Sequence, residues 1–244
     1  MRVALSRGGR GLIGPAIVAA CAFAVLVSLG VWQLQRKQWK EALIETMSQR
    51  AVARPIDLPA PAAWTALTPA TDEFRRVKLR AQFVEVAKPA FAYTGGSALR
   101  DDIKSPGYFV FAPARLPDGR VVVINRGYAP QPDANPAREL LELVGYLRFP
   151  ESGSAFVADH DASGAIWFAR DHRAMAKERG WGEVAPFYID MESPVPPGGT
   201  PKPGPLKPQL RNDHLGYALT WFGLAAGLAA VFGLWAASQR RKPA

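Results

Sequence analysis

The sequence predicts a membrane protein of the α+β class: two transmembrane helices flanking a mostly antiparallel, barrel-like β domain with short helices, placed outside the cytoplasm. Three observations point there. Leu12–Trp32 is 21 residues without a charge and Leu215–Ala237 is another 23, each long enough for a helix to cross a bilayer. Between them, strand-like alternation and turn signals recur over about 180 residues. The basic excess lies at the chain ends. Residues 1–11 and 238–244 carry three bases each and no acid, whereas 33–213 hold all 21 acids and 24 bases.

That placement makes the net charge of +9 a topology signal rather than a nucleic-acid surface. Both termini are expected in the cytoplasm and the middle in the periplasm, anchored in the inner (plasma) membrane. Arg36, Lys37 and Lys40 follow the first span, and Lys207 and Arg211 precede the second. These oppose the rule locally, but a loop this long translocates largely regardless of charge.

Taken in order, a basic tail (1–11) leads into the first span (12–33). Pro15 sits near its start, where a missing N–H costs little. Val18-Ala19-Ala20-Cys21 loosely matches a lipoprotein cleavage box, but apolar or small residues continue to Trp32. That run is longer than a signal core, so an uncleaved anchor is expected. Cys21 is the single cysteine, which excludes an internal disulfide framework. Ala16, Ala20, Ala24 and Ser28 form a small-residue stripe, as do Gly216, Thr220, Gly223 and Gly227 on the second span. Small faces let helices approach closely in lipid, so the two stripes are expected to meet.

Past the first span, Trp39, Ala42, Leu43, Thr46 and Met47 share a helical face, which predicts an interfacial extension over 34–53. Residues 54–70 read as a linker. The β domain follows (71–192). Val77, Leu79, Ala81 and Phe83 alternate with polar residues as in a half-buried strand. Tyr108–Ala112 and Arg120–Asn125 read as a hairpin across Asp118-Gly119. Leu141–Phe149, Ala165–Ala169 and Phe187–Asp190 are further strand candidates, and Asp171–Arg179 reads as a helix stopped by Gly180. Ser193–Pro208 holds seven prolines, which predicts a stiff spacer over 193–210. The second span (211–237) and a basic tail (238–244) close the chain.

Chemistry-bearing motifs are few. The sequence has no Gly-x-Ser-x-Gly, no phosphate loop and no paired histidines or cysteines at ligand spacing. One Cys and four Met make a poor copper carrier. His160, between Asp159 and Asp161, and His172, opening the short helix, read as solvated surface residues, and Asp101-Asp102 as part of a loop. His214 differs, because it falls at the first turn of the second span, at the outer membrane edge. Ionisable residues there usually face protein, water or a cofactor. Tyr217, Ala218, Trp221 and Ala225 share its face, opposite the glycine stripe. With the glycines on the first span, that face would point away, toward a partner or a flat apolar ligand such as haem. An interfacial histidine beside belt aromatics is the alternative.

Three segments then resemble a known family. They are Gly30-Val31-Trp32-Gln33-Leu34-Gln35-Arg36-Lys37; Pro106-Gly107-Tyr108 with Leu116-Pro117-Asp118-Gly119 and Asn125-Arg126-Gly127-Tyr128-Ala129-Pro130; and Asn212-Asp213-His214-Leu215-Gly216-Tyr217-Ala218-Leu219-Thr220-Trp221-Phe222. In this order they resemble the surfeit locus protein one family, from roughly Gly30 to Trp235. Tyr128-Ala129 stands where that family commonly has Trp-Val.

The resemblance implies a non-enzymatic assembly factor of cytochrome c oxidase that binds haem a and aids its insertion into the core subunit. The haem a synthesis enzyme is a further expected partner. The resemblance carries His214 over as the haem iron ligand; Tyr217 and Trp221 on its face would then shield the haem from lipid, and Trp32 and Gln33, which end the first span near the depth of His214, would flank the same pocket. Arg126 and Gly127 carry over as a structural motif: the glycine for a positive φ or close approach, the arginine for a carboxylate or a haem propionate. A haem-free scaffold that steadies the oxidase subunit is the alternative. A haem-modifying enzyme fits poorly, because redox and nucleophilic residues are missing.

Overall fold

A computed structural model describes residues 10–84, 88–132, 140–151, 166–207 and 212–240. The chain divides into two compact units, a helical one (Met1–Leu43 with Arg211–Ala244) and a β unit (Ile44–Leu210).

In the helical unit, α1 starts at Arg10 and runs unbroken to Val52, while α4 spans His214–Arg240. The 27 residues of α4 rise about 40 Å, more than the hydrocarbon thickness of a bilayer. Both helices are long and apolar enough to cross a membrane. The span and the expected interfacial extension are one helix, because nothing in 34–52 interrupts it: neither Gly nor Pro occurs there.

The faces that meet differ from the expectation. A Cβ at Gly216, Gly223 or Gly227 would have nothing within 4 Å, and Ala20, Ala24 and Ser28 are exposed. Instead Ala218 and Ala225 are buried, and a Cβ at Gly30 would come within 2.6 Å of the Phe222 ring. A small-residue stripe permits close approach but supplies no attraction of its own. The hydroxyls in both stripes bond within their own helix, Ser28 to the Ala24 carbonyl and Thr220 to the Gly216 carbonyl, and so offer nothing across the pair. The notch at Gly30 accepts a ring, and that contact selects the face.

In the β unit, five strands close on themselves in the order β2 (Arg76–Phe83), β6 (Leu140–Arg148), β8 (Val184–Ser193), β5 (Val121–Ala129) and β4 (Gly107–Arg115). The seam is β2 with β4, through Gln82↔Arg115 and Phe83↔Ala114. β1 (Ile56–Asp57) lies beside β2, and β3 (Ala90–Thr94) and β7 (Ile166–Trp167) extend the sheet beyond β4. The β1–β2, β3–β7 and β5–β8 pairings are parallel and the rest antiparallel. The expected barrel-like, mostly antiparallel domain is therefore present.

Strand β2 alternates between exposed and buried as its sequence predicts, and its buried side (Val77, Leu79, Ala81, Phe83) joins Ile124, Leu147, Phe187 and Ile189 in the main core. Strands β4, β5 and β8 are buried on both faces. Phe111, Val123 and Tyr188 form a second core with Trp167, Met175 and Trp181. Met175 belongs to α3 (His172–Arg179), which is capped by the Asp171 carboxylate and ended by Gly180 at φ 67°. Burial on both sides explains why these strands read as apolar runs rather than alternating ones.

The two expected linkers are packed segments. In the first, the 3₁₀ turn Pro61–Ala66 and α2 (Pro69–Asp72) carry Trp64 into the main core, edge-on to Phe187 at 5.2 Å. In the second, Lys202 exchanges two backbone hydrogen bonds with Tyr128. Arg100 reaches the Lys202 and Pro203 carbonyls, and Leu206 is buried beside Phe74 and Tyr146. Proline removes N–H donors but leaves the carbonyls free to accept, so a Pro-rich segment docks where donors await it.

Candidate functional site at the start of α4

Trp32 and Gln33 lie well inside α1, so their backbone is held by helical bonds on both sides. His214 opens α4, whose first turn is closed by the Tyr217 amide donating to the Asp213 carbonyl at 3.3 Å. His214 and Gln33 meet: Nδ1 lies 2.7 Å from the Gln33 Oε1. An amide oxygen only accepts, so the imidazole Nδ1 carries the proton and donates it. Among the described residues Nε2 has no hydrogen-bond partner, and the ring is only half-buried.

The other predicted residues distribute around this pair. Trp32, next to Gln33 in α1, and Tyr217, one turn past His214, are 50% and 59% exposed. Trp221 is half-buried, two turns along α4 on the His214 face. That face turns toward α1 rather than away from it, which corrects the expectation. The same reversal brings Gln33 and His214 into direct contact. Asn212 was not singled out by the sequence, yet its Oδ1 is buried without a donor among the described residues.

Arg126 belongs to the β unit. It sits with Gly127 in a bulge of β5 opposite the Phe109–Phe111 stretch of β4. Only 7% exposed, its guanidinium stacks 5.1 Å over the Phe83 ring. It makes no ion pair among the described residues, and burial pulls its pKa below the ordinary arginine value. Gly127 has φ +116°, and a Cβ there would collide with the Lys202 carbonyl. Both reasons for a glycine, positive φ and close backbone approach, hold at this position.

His172 is a correction. It is fully buried, its Nε2–H donating to the Ala185 carbonyl at 3.0 Å and its ring 5.4 Å from Tyr188. Burial lowers its pKa to about 4, so it is a neutral core residue. Its position on the inner face of an amphipathic helix, beside Met175 and Ala176, was the available signal. His160 lies outside the described residues. Asp101 and Asp102 do not converge on one site: Asp102 pairs with Arg100 and Lys202, each at 2.8 Å, and Asp101 pairs with Lys207 at 3.2 Å. Together they clasp the 202–207 strap.

One charged cluster escaped sequence reasoning altogether. Arg148 of β6, only 3% exposed, bonds Glu73 at 2.5 Å, Asp190 at 2.8 Å and Glu151 at 2.6 Å. Asp190 also accepts from Asn125 at 2.5 Å. A charged side chain at the end of the apolar run Leu140–Phe149 was its only trace. The cluster ties β5, β6 and β8 to the turn before β2. Among the described residues no three His, Cys, Asp or Glu side chains gather as a metal site, and of the two described histidines His172 is buried and His214 partly exposed.

A family model described as the SURF1 family matches residues 20–226. The chain belongs to the SURF1 family. It is 32% identical over 230 residues to surfeit locus protein 1 of Rattus norvegicus, covering 86% of this chain and 71% of the relative. The protein of that name in Takifugu rubripes is 31% identical over 228 residues, covering 86% and 91%. The one in Homo sapiens is 32% identical over 225 residues, covering 84% and 71%. The SURF1 match takes in Trp32, Gln33, Arg126, His214, Tyr217 and Trp221. The family assignment thus embraces both the His214–Gln33 pair and the Arg126–Gly127 bulge.

Proposed function

We propose that this SURF1-family protein is a membrane-anchored assembly factor for a haem-copper cytochrome c oxidase, which holds haem a at the outer membrane edge and aids its insertion into the oxidase core subunit. The family is generally known for oxidase assembly, and that supports the coarser part of the reading. The observation that carries the finer part is the His214 imidazole: Nδ1 bonded to Gln33 at 2.7 Å, Nε2 with its lone pair uncommitted. Haem iron accepts a neutral imidazole nitrogen as an axial ligand. The residues present fit such a group, because Nε2 has no hydrogen-bond partner among the described residues and the rings of Trp32, next to Gln33 in α1, and Tyr217, one turn past His214, are exposed. Trp221 lies two turns along α4 and is half-buried. A single protein ligand suits a carrier, since transfer is driven only by a difference in affinity between donor and recipient.

The basic, acid-free chain ends support a plasma-membrane location with cytoplasmic termini and a periplasmic β unit. The enzyme that synthesises haem a is the natural donor. The protein acts stoichiometrically rather than as an enzyme. A second reading, a haem-free scaffold for the oxidase subunit, is favoured by the same hydrogen bond taken as a staple between α1 and α4.

The deciding experiment is an absorption spectrum of the detergent-purified protein co-expressed with the enzymes that make haem a, with His214→Ala alongside. A haem a spectrum in the parent, lost in an inserted and folded variant, is the expected result. Co-purification of the core subunit with no Soret band in either protein would overturn haem carriage in favour of the scaffold.

A further inference from the structure

We infer that Gln33 is a positioning residue that selects the tautomer of His214, so that the nitrogen offered outward is the unprotonated one. This rests on the reading of His214 as a ligand only for its functional consequence. The tautomer itself is a property of the chain alone. A neutral imidazole carries one ring proton, and the two nitrogens compete for it. The Gln33 Oε1, 2.7 Å from Nδ1, stabilises the form protonated there and leaves Nε2 a lone pair.

The acceptor is well fixed. Gln33 lies in the interior of a 43-residue helix. One turn earlier, Gly30 lodges against the Phe222 ring of α4, and one turn past His214, Ala218 is fully buried. The Gly30–Phe222 contact and the hydrogen bond both join the two helices here, and the hydrogen bond sets the direction of the ring as well as its proton. The amide is also neutral. A carboxylate at 33 would pull the Nδ1 proton harder and make Nε2 a stronger donor. An amide gives an oriented ligand of intermediate strength, as a site that must release what it holds requires.

The test is nitrogen-15 NMR of the full-length protein in detergent micelles at pH 8, labelled at histidine. The His214 signals are assigned by their loss in His214→Ala. A protonated Nδ1 and a bare Nε2 are expected in the parent. Gln33→Leu should redistribute the proton, while Gln33→Glu, which keeps an acceptor, should retain it on Nδ1. Retained helicity and detergent extraction establish that each variant is folded. A parent with the proton on Nε2, or an unchanged tautomer in folded Gln33→Leu, would overturn the inference.

In protein loaded by co-expression, Gln33→Leu should weaken haem retention by about 10–100-fold, and Gln33→Glu should lower the haem midpoint potential. Equal retention and equal potential in all three proteins would also count against it. A parent with the expected tautomer but no haem would leave the role of Gln33 standing and remove the carrier reading instead.

Discussion

Buried His172 makes the β unit sensitive to mild acid, by an amount that follows from its surroundings. Desolvation of the ring, with Nε2–H given to the Ala185 carbonyl and Nδ1 buried without a partner, lowers its pKa from 6.5 to about 4. The unfolded chain therefore binds a proton that the folded chain refuses. The stability tied to this group is fully present above pH 6.5 and is lost as pH falls toward 4. Between pH 7.5 and pH 5.0 the loss is about 2 kcal/mol, at 1.36 kcal/mol per pKa unit. For a domain of this size that corresponds to a fall in Tm of about 4–8 °C.

Glu73 responds to pH in the opposite sense. Burial raises the Glu73 carboxyl above its usual range despite the pull of Arg148, and that group favours the folded state as pH falls. The comparison must therefore be with a variant. His172→Gln keeps an N–H that reaches toward Ala185 and has no titration. Thermal unfolding of the detergent-solubilised protein, followed by near-ultraviolet circular dichroism, is the assay. The variant is expected to start less stable at pH 7.5, from lost ring packing, but to lose about 4–8 °C less than the parent on going to pH 5.0. Equal losses in the two proteins would refute the argument that His172 is neutral and buried.

Three further outcomes follow from other parts of the fold. Arg148→Met strands the buried Asp190 charge and the partly buried Glu73 and should cost about 3–5 kcal/mol, a fall of about 6–20 °C in Tm. Glu151→Gln, at the half-exposed end of the same cluster, should cost under about 1 kcal/mol. Gly127→Ala combines a positive φ with a collision against the Lys202 carbonyl, at about 1–3 kcal/mol. It should free the 202–207 strap, read as faster limited proteolysis between β8 and α4. Gly30→Leu displaces the Phe222 ring and should speed amide exchange in the first turns of α4 by about 5–150-fold, the equivalent of about 1–3 kcal/mol. The paired change Gly30→Leu with Phe222→Ala should recover part of that protection.

Much of the fold was legible because its signals are local. An uncharged run of 21 or 23 residues declares a span by length. The alternation of β2 declares one wet and one dry face, and Asp171 and Gly180 declare the ends of α3 within a single stretch of chain. The candidate site was legible as a residue, His214, and as motifs. Its geometry was not, because the partner of His214 lies 181 residues away and no periodicity within α4 points to Gln33. The glycine stripe pointed to the wrong face for the same reason. Space for contact can be read from one helix, but which contact forms depends on the side chains of the other.

By itself, then, the sequence determined two apolar helices, a β unit between them and one imidazole at the start of α4. These depend on consecutive residues and on the solvent each run tolerates. The tertiary structure alone decided which helix faces meet, that His172 is a core residue, and that both supposed linkers are docked. It also decided that Arg148 gathers Glu73 and Asp190, 75 and 42 residues away, beside the nearby Glu151. Each of these rests on hydrogen bonds and packing between residues far apart in the chain, where the energy belongs to the pair and neither partner records it alone.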